Sequence, residues 1–335
     1  MPRTTDTAAG DPGAPEALGS DPHGPGAPAV EISHLRKAYG PVIAVSDISF
    51  SVAEGEIFGI LGPNGAGKTT TVECTIGLRA PDSGAIRLLG IDPQADKARI
   101  HEITGVQLQS GAFPAKLRVG EIIDMYRSFY RHPAETGELA EVLGLAGKRH
   151  AYYRSLSGGQ QQRLSVVLAL IGSPRIAVLD EMTTGLDPQA RRDAWVLIER
   201  VRDRGTTVLL VTHFMEEVER LCDRVALIDA GRIVALDTPA GLAAQATGVR
   251  TVRFLPSGPF DESLLTRLPD VTAIEHDGRH IAVTGTGELA TAVIVALHEA
   301  GVETTDVRID ASTLEDAFVR LTGRNLHEAE EGAQS

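Results

Sequence analysis

The chain has 335 residues, 42% of them hydrophobic and 23% charged, with a formal net charge of −13 at pH 7. That length admits one large domain and a smaller appendage, and the apolar fraction excludes a disordered chain over most of it. The acidic balance, without a concentrated basic stripe, argues against a duplex-binding protein, whose affinity rests on neutralised phosphates.

Residues 1–28 are rich in Pro, Gly, Ala and Asp and are predicted to be a disordered tail. From Val30 to Val52 the pattern turns strand-like: Ile48, Phe50 and Val52 alternate with Ser49 and Ser51, as in half-buried antiparallel strands. The apolar run Ile57-Phe58-Gly59-Ile60-Leu61 reads as a buried parallel strand, and Thr70 to Ile76 as a helix. Between them lies Gly62-Pro63-Asn64-Gly65-Ala66-Gly67-Lys68-Thr69-Thr70. Glycines let the backbone N–H groups turn inward and cradle a triphosphate at a helix N-terminus. In such a loop Lys68 reaches the β- and γ-phosphates and the Thr69 hydroxyl ligates Mg²⁺. The segment is therefore expected to bind a nucleoside triphosphate with its metal.

Ala85 to Gly90 suggests a further strand, and residues 111–172 look mainly helical. Within them, Leu156-Ser157-Gly158-Gly159-Gln160 precedes a helix and exposes backbone N–H groups at its start, a second anion site. One nucleotide rarely needs two such sites in one chain, so the second is expected to serve the γ-phosphate held by a neighbouring subunit. The buried run Ile176–Leu179 ends in Asp180-Glu181, at the strand edge where open α/β sheets bind ligands. Asp180 suits Mg²⁺, and Glu181, past the strand end, suits a general base for an attacking water. Gly185-Leu186-Asp187-Pro188 reads as a turn, and the strand Thr207–Val211 leads to His213. A hairpin over 225–236 follows.

Beyond about Gly248 the pattern changes to a small α+β unit. It has strand-like pieces at 252–254 and 281–283, a turn at His276-Asp277-Gly278, and a helix from Leu289 to His298. A final helix is announced by Ser312-Thr313-Leu314-Glu315, read as a capping box of Ser312 with Glu315. The expected domains are thus 29–247, with a helical subdomain over about 111–172, then 248–325, and a disordered tail at 326–335. Cys74 and Cys222 cannot make a disulfide framework, which fits a reducing cytoplasm. No run approaches a membrane span and no secretory leader is evident.

These motifs, in this order, resemble the nucleotide-binding subunit of ABC transporters over about Glu31 to Leu236. Gly62 to Thr70 match the Walker A loop, Gln109 the Q-loop, Leu156 to Gln160 the signature motif, and Asp180 and Glu181 the Walker B pair. Leu186 and Asp187 match the D-loop, His213 the switch histidine, and Tyr39 the aromatic that stacks on adenine. The resemblance implies a P-loop NTPase core with an antiparallel β-subdomain and a helical subdomain, plus the small C-terminal α+β appendage. It also implies ATP and Mg²⁺, with Thr69, Gln109 and Asp180 toward the metal and Glu181, His213, Gln109 and Lys68 in catalysis. Two copies would be head-to-tail, each ATP lying between one copy's Walker A loop and the other's signature, with Asp187 at the junction; a homodimer is expected. Met182 departs from the pattern, where the family usually has proline.

The segment Thr313 to Gly323 resembles the ending of daunorubicin-resistance-type exporter ATPases. That favours an exporter subunit bound to a separate membrane permease at the cytoplasmic face, with no nucleic-acid partner. An importer ATPase and a non-transport ABC ATPase are the competing expectations. Six of the fourteen aromatic residues fall between Phe113 and Tyr153. They are expected either to form the helical subdomain's own core or to line a groove for a helix of the membrane partner.

Overall fold

The computed structural model describes residues 27–107, 113–134, 137, 144–245, 250–310 and 313–323. The expected tails lie outside these residues except for 27 and 28, and so does Gln109. The chain opens with β1 (Val30–Tyr39) paired antiparallel to β2 (Val42–Val52). In β2 the predicted alternation holds: Ile48, Phe50 and Val52 are buried while Ser49 and Ser51 are exposed. Then come β3 (Ile57–Leu61), α1 (Lys68–Thr75), β4 (Ser83–Leu88), α2 (Lys97–Ile103), β5 (Thr104–Gln107) and α3 (Val119–Arg127). They are followed by α4 (Gly158–Leu170), β6 (Ile176–Asp180), α5 (Pro188–Asp203), β7 (Thr207–Thr212) and α6 (Met215–Leu221). The hairpin β8 (Arg224–Asp229) and β9 (Arg232–Asp237) and the short α7 (Pro239–Gln245) complete this part.

Its strands form one sheet in the order β4-β1-β2-β9-β8-β3-β7-β6-β5. From β8 to β5 neighbouring strands are parallel, and the β4-β1-β2 end is antiparallel. The parallel strands are covered on both faces, which explains their unbroken apolar runs. Ile57 and Leu61 of β3, Ala177 and Leu179 of β6, and Val208 and Leu210 of β7 join one buried cluster. Their neighbours Phe58, Ile60, Ile176, Val178, Leu209 and Val211 join the other. Two strands separate β2 from β3, about 14 Å in a flat sheet. Yet the rings of Phe50 and Phe58 stack with centroids 4.8 Å apart, so the sheet curls the antiparallel end over its own core.

A second, four-stranded antiparallel sheet has the order β11-β12-β10-β13. It is built from β10 (Arg250–Pro256), α8 (Ser263–Thr266), β11 (Val271–Asp277), β12 (His280–Gly285), α9 (Leu289–Glu299) and β13 (Thr304–Asp310). Its own core contains Val252, Phe254, Val283, Leu289 and Val293. The helix that follows, α10 (Leu314–Thr322), returns to the first part: Leu314, Ala317 and Phe318 share a buried cluster with Val218, Leu221 and Leu242. Its cap corrects the expected box. Thr313 is the N-cap and accepts from the Asp316 N–H, while Asp316 accepts from the Thr313 N–H; Glu315 is a first-turn residue, and Ser312 lies outside the described residues. A threonine hydroxyl and an aspartate three positions later satisfy the same pair of orphan donors one residue further on.

Candidate active site

The strand order places the C-terminal ends of β3, β7, β6 and β5 side by side. Segments far apart in sequence are thereby gathered on one edge, the crevice side of an open α/β sheet. From β3 the chain enters Gly62, where a Cβ would fall 2.1 Å from the Ile228 carbonyl oxygen. At Gly67 the backbone is left-handed (φ 98°) and a Cβ would fall 2.3 Å from the Ala44 oxygen. Only glycine permits both approaches. Pro63 and Ala66 are buried, and Asn64 and Gly65 form the exposed tip. Lys68 is folded inside the loop, its Nζ donating to the carbonyls of Gly62 (2.6 Å) and Pro63 (3.0 Å). Gly67 supplies no side-chain cap to α1, and the first turn, with Thr69 and Thr70, carries no acidic residue. Amides and macrodipole there favour an anion.

Asp180 ends β6 and is 2% exposed. Burial, reinforced by the neighbouring Glu181 charge, pushes its carboxyl up to about 6, against the opposing pull of Lys68 and of a hydrogen bond with Thr69. Its Oδ2 is buried without a hydrogen-bond partner among the described residues. Glu181 follows in a left-handed backbone (φ 51°), uncommon for a residue with a Cβ. Its N–H donates to the Val211 carbonyl at 2.8 Å, and its own carbonyl accepts from Thr184 N (3.2 Å) and Gln162 Nε2 (3.1 Å). Its Oε1 is 3.3 Å from Nδ1 of His213, which stands just beyond β7. Met182, the departure from the proline pattern, is fully buried in the core beneath this turn.

Ser157 caps α4: its Oγ accepts from the Gln160 N–H, and Gln160 Oε1 accepts from the Ser157 N–H. A Cβ at Gly158 would meet nothing, and one at Gly159 would press Leu186 Cδ2 at 3.2 Å, so the helix start is open on one side and packed on the 185–187 turn on the other. Asp187 caps α5 by accepting from the N–H groups of Gln189 and Ala190, and that bond from Ala190 is the main cause holding its carboxyl below the usual range. Pro188 at the first helical position completes this start. Tyr39, 40% exposed at the end of β1, has Arg79 over its ring at 5.3 Å and Lys37 at 5.8 Å.

A family of ABC transporter domains matches residues 45–184. The Nod factor export ATP-binding protein I of Paraburkholderia xenovorans (strain LB400) is 38% identical over 311 residues, covering 90% of this chain and 99% of that protein. Its counterpart in Ralstonia nicotianae is 36% identical over 326 residues, covering 92% and 98%. This chain belongs to the ABC transporter ATP-binding proteins. The solved ATP-binding subunit of an ABC transporter superposes on the cassette with a TM-score of 0.60 and 26% identity, over 65% of this chain and 92% of that one. The dimeric cassette MJ0796 gives a TM-score of 0.58 at 23% identity, over 62% and 98%, which speaks to the fold. The protein is thus a P-loop ABC ATPase, as the ordered motifs imply.

In this cassette Lys68, Asp180, Glu181 and His213 come together around one sheet edge, whereas Ser157 to Gln160 and Asp187 are carried by the starts of other helices. Gln162 was not singled out from the sequence. A polar residue on a helix reads as solvated surface, and only the fold shows it turned to the Glu181 carbonyl. A groove of about 280 Å³ lined by Ile76, Leu78, Val106, Phe113, Tyr126 and Leu168 lies between the sheet and the helical subdomain. Of the six clustered aromatics, Phe113 packs edge-on against Tyr126 and Tyr153, joining groove to core. Tyr130 covers Gly172, while Phe129 and Tyr152 are exposed.

Proposed function

We propose that this ATPase powers export through a separate permease, two copies sharing two ATP molecules. The observation that carries the catalytic part is the Glu181–His213 pair at the ends of adjacent strands, beside the buried Asp180 and the enclosed Lys68. Glu181 accepts the proton of the attacking water, and His213, bonded to the same carboxylate, orients it. Lys68 and the amides of Gly65 to Thr70 stabilise charge developing on the γ-phosphate. Tyr39, exposed at the end of β1, is the ring that stacks on adenine. Ser157 and the open amides of Gly158 and Gly159 serve the other copy's triphosphate, with Gln160 fixing that helix start and Asp187 at the junction.

Asp180 Oδ2, without a hydrogen-bond partner among the described residues, and the Thr69 hydroxyl beside it fit Mg²⁺, which typically takes one or two protein oxygens together with phosphate oxygens and water. Thr69 and Asp180 would hold the ion, and Gln109 is assigned as a further contact from the motif order alone. When bound, Mg²⁺ neutralises phosphate charge. ATP closes the dimer because its γ-phosphate is gripped from both copies, and its loss removes that differential affinity.

Among the described residues no helix is long and apolar enough to cross a membrane. Work at a membrane therefore calls for a partner, and the groove beside Phe113 and Tyr126 is the place for a cytoplasmic helix of the permease. The relatives are named for Nod factor export, and the Thr313–Gly323 ending resembles drug-exporter ATPases. Both support export; the compound in this reading is a drug, antibiotic or lipid-like molecule, and the motor is a homodimer on the cytoplasmic membrane face. The test is steady-state hydrolysis by Glu181→Gln: turnover should fall by about 10²–10⁴-fold with ATP binding retained. Near-normal turnover would refute the base.

A further inference from the structure

We propose that Gln162 is a positioning residue that joins the base of one ATP site to the helix serving the other. The role rests on Glu181 being that base. Gln162 stands on α4, just past the cap made by Ser157 and Gln160, and is partly buried. Its Nε2 donates to the Glu181 carbonyl at 3.1 Å.

That carbonyl belongs to a residue in a sparsely populated conformation, with φ at 51°. Such a backbone persists only when its surroundings hold it, and here the holding groups come from three directions. The N–H is tied to Val211 of β7, the carbonyl to Thr184 in the following turn, and the same carbonyl to Gln162 of α4. Relaxing Glu181 out of this backbone conformation would re-aim its side chain, whose Oε1 lies 3.3 Å from His213 Nδ1. Small displacements of a reacting group are costly in rate, so the bond acts on turnover more than on nucleotide affinity.

The same helix start packs on the 185–187 turn through Gly159 and Leu186. When the opposite copy's triphosphate engages Ser157, Gly158 and Gly159, the element it grips is bonded at Gln162 to this copy's own base. Each site therefore reports its occupancy to the catalytic carboxylate of the other through one rigid helix, a physical link rather than mere proximity.

The experiment uses the full-length chain with Mg-ATP. Gln162→Met keeps the side-chain length and removes the donor. Its kcat should fall by about tenfold or more, with KM for ATP and ATP-dependent dimerisation unchanged. On a Glu181→Gln background the same substitution should add nothing to the residual single-turnover rate, because both act through one group. A kcat within about twofold of wild type would overturn the proposal, as would a loss that tracks weakened dimerisation or multiplies independently with Glu181→Gln. If Gln162→Met does not fold, Gln162→Leu, uncharged and also without the donor, decides by the same measurements. Normal turnover of Glu181→Gln alone would instead sink the reading of the base.

Discussion

The two sheets of this protein are built on opposite rules. In the ATPase sheet every residue of β3, β6 and β7 is buried, and the strand ends deliver Lys68, Asp180, Glu181 and His213 to one edge. In the appendage sheet β10 sets exposed Arg253 between buried Val252 and Phe254, and the edge strand β13 is exposed from Thr305 to Ile309. Burial on both faces makes strand ends rigid enough to aim side chains, while an antiparallel sheet covered on one face makes a surface. The helix α10 belongs to the first regime although it follows the second sheet in sequence.

That assignment is open to direct challenge. Phe318→Ala should cost about 3–5 kcal/mol and unfold the ATPase, because Phe318 is 1% exposed within the cassette's core. Phe254→Ala, the same change in the appendage core, should lower the appendage's own melting and leave hydrolysis standing. Thermal melts followed by both fluorescence and ATPase assay would distinguish them, and equal loss of ATPase activity in both would erase the distinction.

Among the described residues, buried charged side chains occur in the first region alone. Asp180 titrates near 6 when folded and at 3.8 in its ordinary state, so its ionisation opposes folding as pH rises through that window. Asp180→Asn should therefore stabilise the nucleotide-free protein by about 3 kcal/mol at pH 7.5, roughly two pKa units, while removing Mg-dependent hydrolysis. The gain should vanish below pH 4, where the carboxyl is protonated in both states. Denaturation at the two pH values checks the sign; a destabilised Asp180→Asn at pH 7.5 would contradict it.

Smaller effects follow at the junction and on the surface. Thr313→Ala removes the hydroxyl that caps α10 and should cost about 1 kcal/mol, read as a shift in denaturant midpoint. Ile309→Thr, on the exposed edge strand, should stay within about 0.5 kcal/mol, although it replaces a large apolar side chain. A loss above that would mean β13 is covered in solution.

Much of this was legible beforehand where local chemistry dictates geometry. Gly62 and Gly67 announce backbone approaches that only glycine tolerates, and the runs ending at Leu61, Leu179 and Val211 announce strands buried twice. Strand order was not legible: nothing local says that β7 lies between β3 and β6, which is what sets His213 beside Glu181. The left-handed Glu181 was hidden for the same reason, since its conformation is held by Val211, Thr184 and Gln162 from separate elements. Tertiary packing likewise decided α10. Its amphipathic pattern, with Leu314, Ala317 and Phe318 on one face, fits either core equally well. The cap moved from Ser312 to Thr313 because both neighbours carry hydroxyls and both have an acid three residues on.

The placement of α10 bears on how the molecule is made. Val218, Leu221 and Leu242 leave the ribosome well before Leu314, Ala317 and Phe318, the side chains that cover them. The motor stays unfinished while the whole intervening unit is synthesised, and a product stopped within that unit would display an oily seam to the quality-control machinery. The housing of the engine is thus closed by residues made roughly seventy or more positions after the ones they shelter, so the cassette cannot reach its final packing before α10 exists.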